Sequence, residues 1–258
     1  MSTLIKVNYG YKTLSIALLS LVLVSCAVNK TQNDSPLYAA HSLSDVECVL
    51  LVHGLWRSGF AMRSIAADLE EHGYLTVSVD YPSTEAEIPD LVQRYFLESY
   101  HECVATGAQK IHLVSHSMGG ILIRHFLQNR ALPLGSKVVM LSPPNQGSKL
   151  SEKFGDSWWY KWLVGPAGVS LSSKQTGIIS KLKPIPAQVG IIAAYRDWSL
   201  WPDDWLPQPN DGTVSVASMK LAEMDDFILV NSGHAMMRFN DEVQNQIRQF
   251  LAVGEFAR

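Results

Sequence analysis

Beyond residue 45 the chain alternates between two kinds of segment, and this alternation constrains its fold more than any other feature. Six short apolar runs recur: Val49–Val52, Leu75–Val79, Ile111–Val114, Val138–Leu141, Val189–Ala194 and Phe227–Val230. Each has the length and composition of a buried strand. Longer segments with helical spacing separate them. Gly59–His72 carries Met62, Ile65, Ala66 and Leu69 on one face; Pro89–Cys103 and Met118–Asn129 follow, and Asp241–Leu251 closes the chain. Strands that alternate with helices predict an α/β fold, a mostly parallel sheet flanked by helices on both faces. With 258 residues, 47% of them hydrophobic, the chain has enough apolar material for one sizeable core.

The charge balance excludes some functions. Lys and Arg number 21 against 24 Asp and Glu, a net charge of −3, and no basic run stands out. A phosphate-tracking nucleic-acid partner is therefore not expected. The three cysteines, Cys26, Cys48 and Cys103, are too few for a disulfide scaffold, and their spacing matches no zinc site.

The N-terminus has a different character. Lys6 and Lys12 precede an apolar run of 11 residues, Leu14–Val24. A bilayer span needs roughly 20 residues, so the run predicts an export signal instead. It ends Leu23-Val24-Ser25-Cys26, which resembles a bacterial lipoprotein signal, where the cysteine is lipidated and becomes the new N-terminus. The expected organisation is a signal peptide over 1–25, a polar tether over 26–45 and a single domain over 46–258. Cys26 would then anchor the protein to a membrane of the cell envelope. Ala27 stands where an aspartate would mark inner-membrane retention, so the resemblance implies the outer membrane.

The sharpest local signal is Val114-Ser115-His116-Ser117-Met118-Gly119-Gly120, which carries a strand straight into a helix. This is the setting of a nucleophile elbow, G-x-S-x-G, with Ser115 in place of the first glycine. The tight turn holds the Ser117 hydroxyl clear of the sheet. A serine needs a base. His116 is adjacent, but its side chain is expected to point away from Ser117. His234 is the better candidate, because it follows the last strand in Asn231-Ser232-Gly233-His234. The base in turn needs an orienting carboxylate. Asp211, in Asn210-Asp211-Gly212-Thr213-Val214, would fill that role unless it serves only an Asx-turn. Asp197, Asp203 and Asp204 compete, with Asp197 the nearest rival. Two backbone N–H groups, of Leu55 in His53-Gly54-Leu55 and of Met118, are candidate oxyanion donors. His53 is expected to brace that loop.

One connection breaks the alternation. The segment at about 145–187 is long, and six of the seven tryptophans fall between 158 and 205. A connection of this length is usually functional or separately structured. Trp158 and Trp162 are four apart, so a short helix places them on one face. Together with Met236 and Met237 they are candidate walls of an apolar acyl cleft; alternatively, they pack the insertion onto the body.

These motifs, in this order over roughly residues 47–256, resemble the bacterial lipase/esterase branch of the α/β-hydrolase superfamily. The resemblance also draws on Pro143-Pro144-Asn145-Gln146-Gly147-Ser148. It implies an α/β-hydrolase fold with a Trp-rich cap insertion. It also implies a Ser117–His234–Asp211 triad and hydrolysis of small-molecule or lipid acyl esters, with no cofactor. It favours Asp211 over Asp197. Some relatives bind calcium near the acid loop, but no ligand cluster here suggests a metal. The same triad would serve an acyltransferase, and a non-catalytic surface lipoprotein would use the fold as a scaffold. In such a sheet the strand that Cys48 begins and the strand that follows Cys103 are neighbours. The two cysteines then lie opposite the active site, either bridged or as separate buried thiols.

Overall fold

The computed structural model describes residues 46–175, 177–198 and 201–258. The expected export signal, the tether and Cys26 lie outside the described residues. Six strands form one sheet: β1 (Glu47–Val52), β2 (Leu75–Val79), β3 (Lys110–His116), β4 (Lys137–Leu141), β5 (Gln188–Tyr195) and β6 (Asp226–Asn231). All pairs are parallel, in the order β2-β1-β3-β4-β5-β6. Every apolar run read from the sequence is one of these strands.

The strands are apolar throughout because both faces of the sheet are covered. Along β1 the side chains alternate: Val49 and Leu51 enter one core, Cys48, Leu50 and Val52 the other. The first core is closed by α1 (Arg63–Glu71), through Ile65 and Leu69, and by α8 (Asp241–Val253), through Val243, Ile247 and Phe250. The second is closed by α2 (Ile88–Leu91), α3 (Leu97–Ala105) and α4 (Gly119–Phe126). A π-type turn over Val92–Phe96 joins α2 to α3, so the predicted Pro89–Cys103 helix is one continuous helical segment. The α8 helix starts at an Asn240 cap, whose side chain accepts from the Glu242 and Val243 N–H groups.

Cys48 and Cys103 are disulfide-bonded, with Cα atoms 5.7 Å apart. Both are fully buried. The bridge ties α3 to the N-terminal end of β1, away from the edge where the strands end. The choice left open by the sequence is thus settled in favour of a bridge.

Between β4 and β5 lie α5 (Lys149–Phe154) and α6 (Trp158–Ser170). The latter is broken at Gly165, whose φ is 67°. A Cβ there would stand 1.9 Å from the Thr84 carbonyl oxygen, so only glycine lets the insertion approach the body this closely. Pro166 then begins the second part of α6, where a missing N–H costs nothing. The short α7 (Val216–Met219) precedes β6.

Candidate active site

β1 and β3 are neighbours whose chains leave the sheet in opposite lateral directions, β1 towards β2 and β3 towards β4. Such a switch point opens a crevice at the carboxyl ends of the strands. The loop after β1 and the turn after β3 meet there. A Cβ at Gly54 would lie 2.9 Å from Ser117 Cβ.

Ser117 sits in the turn between β3 and α4 with φ at 55°. This left-handed conformation is uncommon for a residue with a side chain and costs on the order of 1–3 kcal/mol. The surrounding structure holds it in place: the Ser117 N–H donates to the Leu141 carbonyl at 2.8 Å, and the Ser117 carbonyl accepts from Gly120 at 3.0 Å. Ser115, where the elbow pattern has glycine, is fully buried and packs against Gly120. Its hydroxyl is small enough to fit, but Oγ finds no hydrogen-bond partner among the described residues.

His234 Nε2 lies 2.9 Å from Ser117 Oγ, and His234 Nδ1 lies 2.6 Å from Asp211 Oδ2. The carboxylate can only accept from Nδ1–H, which leaves Nε2 with a lone pair facing the serine hydroxyl. The His234 N–H also donates to the Asp211 carbonyl at 3.0 Å, so backbone and side chain fix the pair together. Asp211 is fully buried. Its Oδ1 accepts from the Thr213 and Val214 N–H groups at 2.9 and 2.8 Å. It therefore makes the Asx-turn and orients the histidine, one task with each oxygen. Burial pushes its carboxyl up, but the His234 ring and these hydrogen bonds outweigh it and hold it below the usual carboxylate range.

The rival acids stand elsewhere. Asp197 and Asp203 are exposed, and Asp204 is 3.5 Å from Lys153 Nζ. His116 does point away from Ser117. Its Nε2 donates to the His234 carbonyl at 2.8 Å, and the two rings lie 4.7 Å apart. Burial pushes the His116 imidazole well below its ordinary range, with the His234 and Arg238 charges adding to it, so it is neutral near pH 7. Sequence reasoning missed this brace. The residues are 118 apart in the chain, and no local pattern links them. His53 braces its loop as expected: Nδ1 donates to the Gly54 carbonyl at 2.8 Å, and the ring stacks on Tyr81 at 4.0 Å.

Neither the Leu55 nor the Met118 backbone N–H has an acceptor among the described residues. The insertion packs beside the Leu55 loop, where a Cβ at Gly168 would lie 3.3 Å from Leu55 Cδ2. The Trp56 indole donates to the Leu163 carbonyl at 2.7 Å. Trp158 and Trp162 share one face of α6, but that face looks outward, and they are 81% and 82% exposed. The inward face belongs to Tyr160, Val164, Ala167 and Gly168, so these two indoles do not pack the insertion onto the body. Met236 is largely exposed, whereas Met237 is fully buried in the core beneath α1 and α8 and lines no cleft. Among the described residues no group of three or more His, Cys, Asp or Glu side chains is arranged to hold a metal ion. No described helix is long and apolar enough to cross a membrane.

A family model described as "Alpha/beta hydrolase family" matches residues 49–243. Among solved structures, the mature lipase BlEst2 of Bacillus licheniformis superposes with a TM-score of 0.61 at 18% identity, over 81% of this chain and 92% of that one. A metagenomic carboxyl esterase, MGS0156, gives 0.57 at 18% identity over 76% and 66% of the two chains. A lipase-esterase related protein from Clostridium acetobutylicum gives 0.56 at 16% identity over 81% and 96%. At these identities the likeness is one of fold. No curated protein matches the sequence.

Proposed function

The chain belongs to the alpha/beta hydrolase family, and from that premise we propose that it hydrolyses carboxylic acyl esters, lipid esters included, through an acyl-enzyme on Ser117. The observation that carries this reading is the hydrogen-bonded chain from Ser117 Oγ to His234 Nε2 at 2.9 Å and from His234 Nδ1 to Asp211 Oδ2 at 2.6 Å. In the proposed reaction His234 takes the hydroxyl proton as Ser117 Oγ attacks the ester carbonyl. The buried Asp211 carboxylate stabilises the imidazolium that forms. The free Leu55 and Met118 N–H groups receive the oxyanion, at roughly 3 kcal/mol for each donor. His234 then returns the proton to the leaving alcohol. Water, activated by the same histidine, releases the acid.

A fluorophosphonate probe and a panel of esters test the reading. Wild-type protein should be labelled once, at Ser117, and should turn over at least one ester class. The Ser117→Ala variant should do neither. Labelling at another residue, or ester turnover that survives the substitution, refutes it.

We also propose that the protein is exported and anchored by a lipidated Cys26, with the outer membrane as its site. The support is the run of basic start, short apolar stretch and Leu23-Val24-Ser25-Cys26. Mass spectrometry of the mature N-terminus should find acylated Cys26; an unmodified Cys26 ends this reading.

A further inference from the structure

Three guanidiniums beside the Ser117 site have no carboxylate partner among the described residues. Arg57 follows the Leu55–Trp56 loop, and Arg63 begins α1 just after the 3-10 turn Gly59–Met62. Both are exposed. Arg238 comes from the turn after His234, Met236–Phe239, and reaches across to the same loop. Its Nη1 donates to the Ala61 carbonyl at 2.7 Å. Arg238 is only 4% exposed, yet its Nε has no hydrogen-bond partner among the described residues.

Aromatic faces neighbour two of these groups. Arg63 lies over the Phe60 ring at 4.0 Å and Arg238 near the Phe239 ring at 5.2 Å. Among the described residues none of the three forms an ion pair. Asp80 is the carboxylate that touches this loop. Its Oδ1 is committed to the Gly59 N–H at 2.8 Å and lies 4.0 Å from His53 Nε2. Burial, with Arg57 and Arg63 adding repulsion, lowers the Arg238 guanidinium from its ordinary value. A buried arginine left with an unpaired nitrogen beside two like charges is destabilising by itself. An oxyanion bound by Arg57 and Arg63 would offset the repulsion among the three charges. The planar fork of a guanidinium suits the oxygens of a phosphate.

We propose that the exposed Arg57 and Arg63, with the buried Arg238 charge behind them, form an anion-binding site at the mouth of the Ser117 crevice, and that its ligand is the phosphate of a phosphate-bearing acyl ester. The inference rests on the ester-hydrolase reading and narrows it to esters whose alcohol part carries a phosphate mono- or diester. Both segments that build the site flank the reacting groups. Arg57 is two residues beyond the Leu55 donor, and Arg238 is four beyond His234. The Trp56, Phe60 and Phe239 side chains, all exposed, give the same rim an apolar surface beside the charge. Free inorganic phosphate offers the same chemistry, so the test separates the two sources.

The full chain is assayed on a monoacyl glycerol phosphate and on the monoacylglycerol with the same acyl chain. The wild type should favour the phosphate-bearing ester, through KM. The Arg57→Gln/Arg63→Gln double variant should lower that preference by about tenfold or more, each lost charge-assisted contact being worth a sizeable part of that factor. A preference that is absent, or that the double variant leaves unchanged, overturns the proposal. A second arm needs no turnover: calorimetric titration of the Ser117→Ala protein with a short-chain acyl glycerol phosphate and with inorganic phosphate. Tighter binding of the glycerol phosphate assigns the headgroup. Equal binding assigns free phosphate and overturns the substrate assignment. Failure of both to bind, or binding indifferent to the double variant, overturns the site itself. If the double variant does not fold, Arg57→Gln alone serves in both arms, because the Arg57 side chain makes no hydrogen bond among the described residues. Failure of the underlying hydrolase reading would look different: no ester of either kind is turned over while phosphate binding persists.

Discussion

α4 and α6 are both apolar helices, and the fold treats them in opposite ways. In α4, Gly119 to Arg124 and Phe126 are all buried, clamped between the sheet and the α2–α3 segment. In α6, Tyr160, Val164, Ala167 and Gly168 are buried while Trp158, Trp159, Trp162 and Leu163 stand exposed. The first follows a central strand and aims Ser117 into the crevice. The second belongs to an insertion with the body on one side only. Apolar content therefore does not assign a role; the number of layers around a helix does. Exposed aromatic area of this extent on one helix face marks a contact surface rather than a stabilising core.

The largest effects should come from the site that α4 presents. Ser117→Ala or His234→Ala should lower ester turnover by about 10⁴-fold or more with little change in melting temperature. Asp211→Asn should approach the same loss, about 10⁴-fold, because it favours the wrong histidine tautomer. The kinetic assay checks the acid directly: an Asp197→Asn variant more damaged than Asp211→Asn would sink this assignment.

The bridge that ties α3 to β1 on the α4 side of the sheet comes next. It closes a loop with a sequence separation of 55. Loop-closure entropy puts its contribution at about 4 kcal/mol. Denaturant unfolding of a Cys48→Ser/Cys103→Ser variant should show a loss of that order, with ester turnover per folded molecule preserved, because the bridge lies opposite the crevice.

A pair of substitutions then sharpens the contrast between the helices. Leu122→Ala, in the fully buried α4, should cost about 2–5 kcal/mol of stability. Trp162→Ala, on the exposed face of α6, should change stability by no more than about 0.5 kcal/mol. If that face meets acyl chains, Trp158→Ala/Trp162→Ala should impair long-chain esters more than acetate or butyrate esters, by up to about 0.8 kcal/mol for each methylene that loses contact. A uniform loss across chain lengths, together with a lower melting temperature, would make α6 a structural helix like α4.

A graded effect is that of pH on the buried histidines. His53, His112 and His116 all have imidazoles lowered from 6.5, burial being the first cause in each. The unfolded chain therefore binds protons below about pH 6.5 that the folded chain refuses. Stability should be full above that pH and fall as the pH drops towards the folded values, by at most about 1.4 kcal/mol per pH unit for each histidine. Asp211 adds a further loss below about pH 4, since its folded value lies under 3.8. Urea midpoints measured from pH 8 to pH 5 check this; a flat profile would mean the three rings are protonated in the folded protein.

The sequence by itself determined the features that repeat or turn locally. Apolar runs of strand length separated by amphipathic segments dictated a parallel sheet covered on both faces. Ser115–Gly120 dictated a strand-to-helix turn at Ser117, because only small flanking residues tolerate it. Asn210–Val214 dictated a tight turn around Asp211. Their order along the chain pointed to Ser117, Asp211 and His234 together. Tertiary structure decided what depends on neighbours distant in the chain. It chose the outward direction for Trp158 and Trp162, sent Met237 into the core, brought His116 under the His234 carbonyl, closed the Cys48–Cys103 bridge and carried Arg238 to Ala61, 177 residues away in the chain. The physical reason is that periodicity fixes which side chains share a face, whereas burial is non-directional and says only that some surface must cover that face. Which surface does so, and which faces stay bare, follows from the order of the strands.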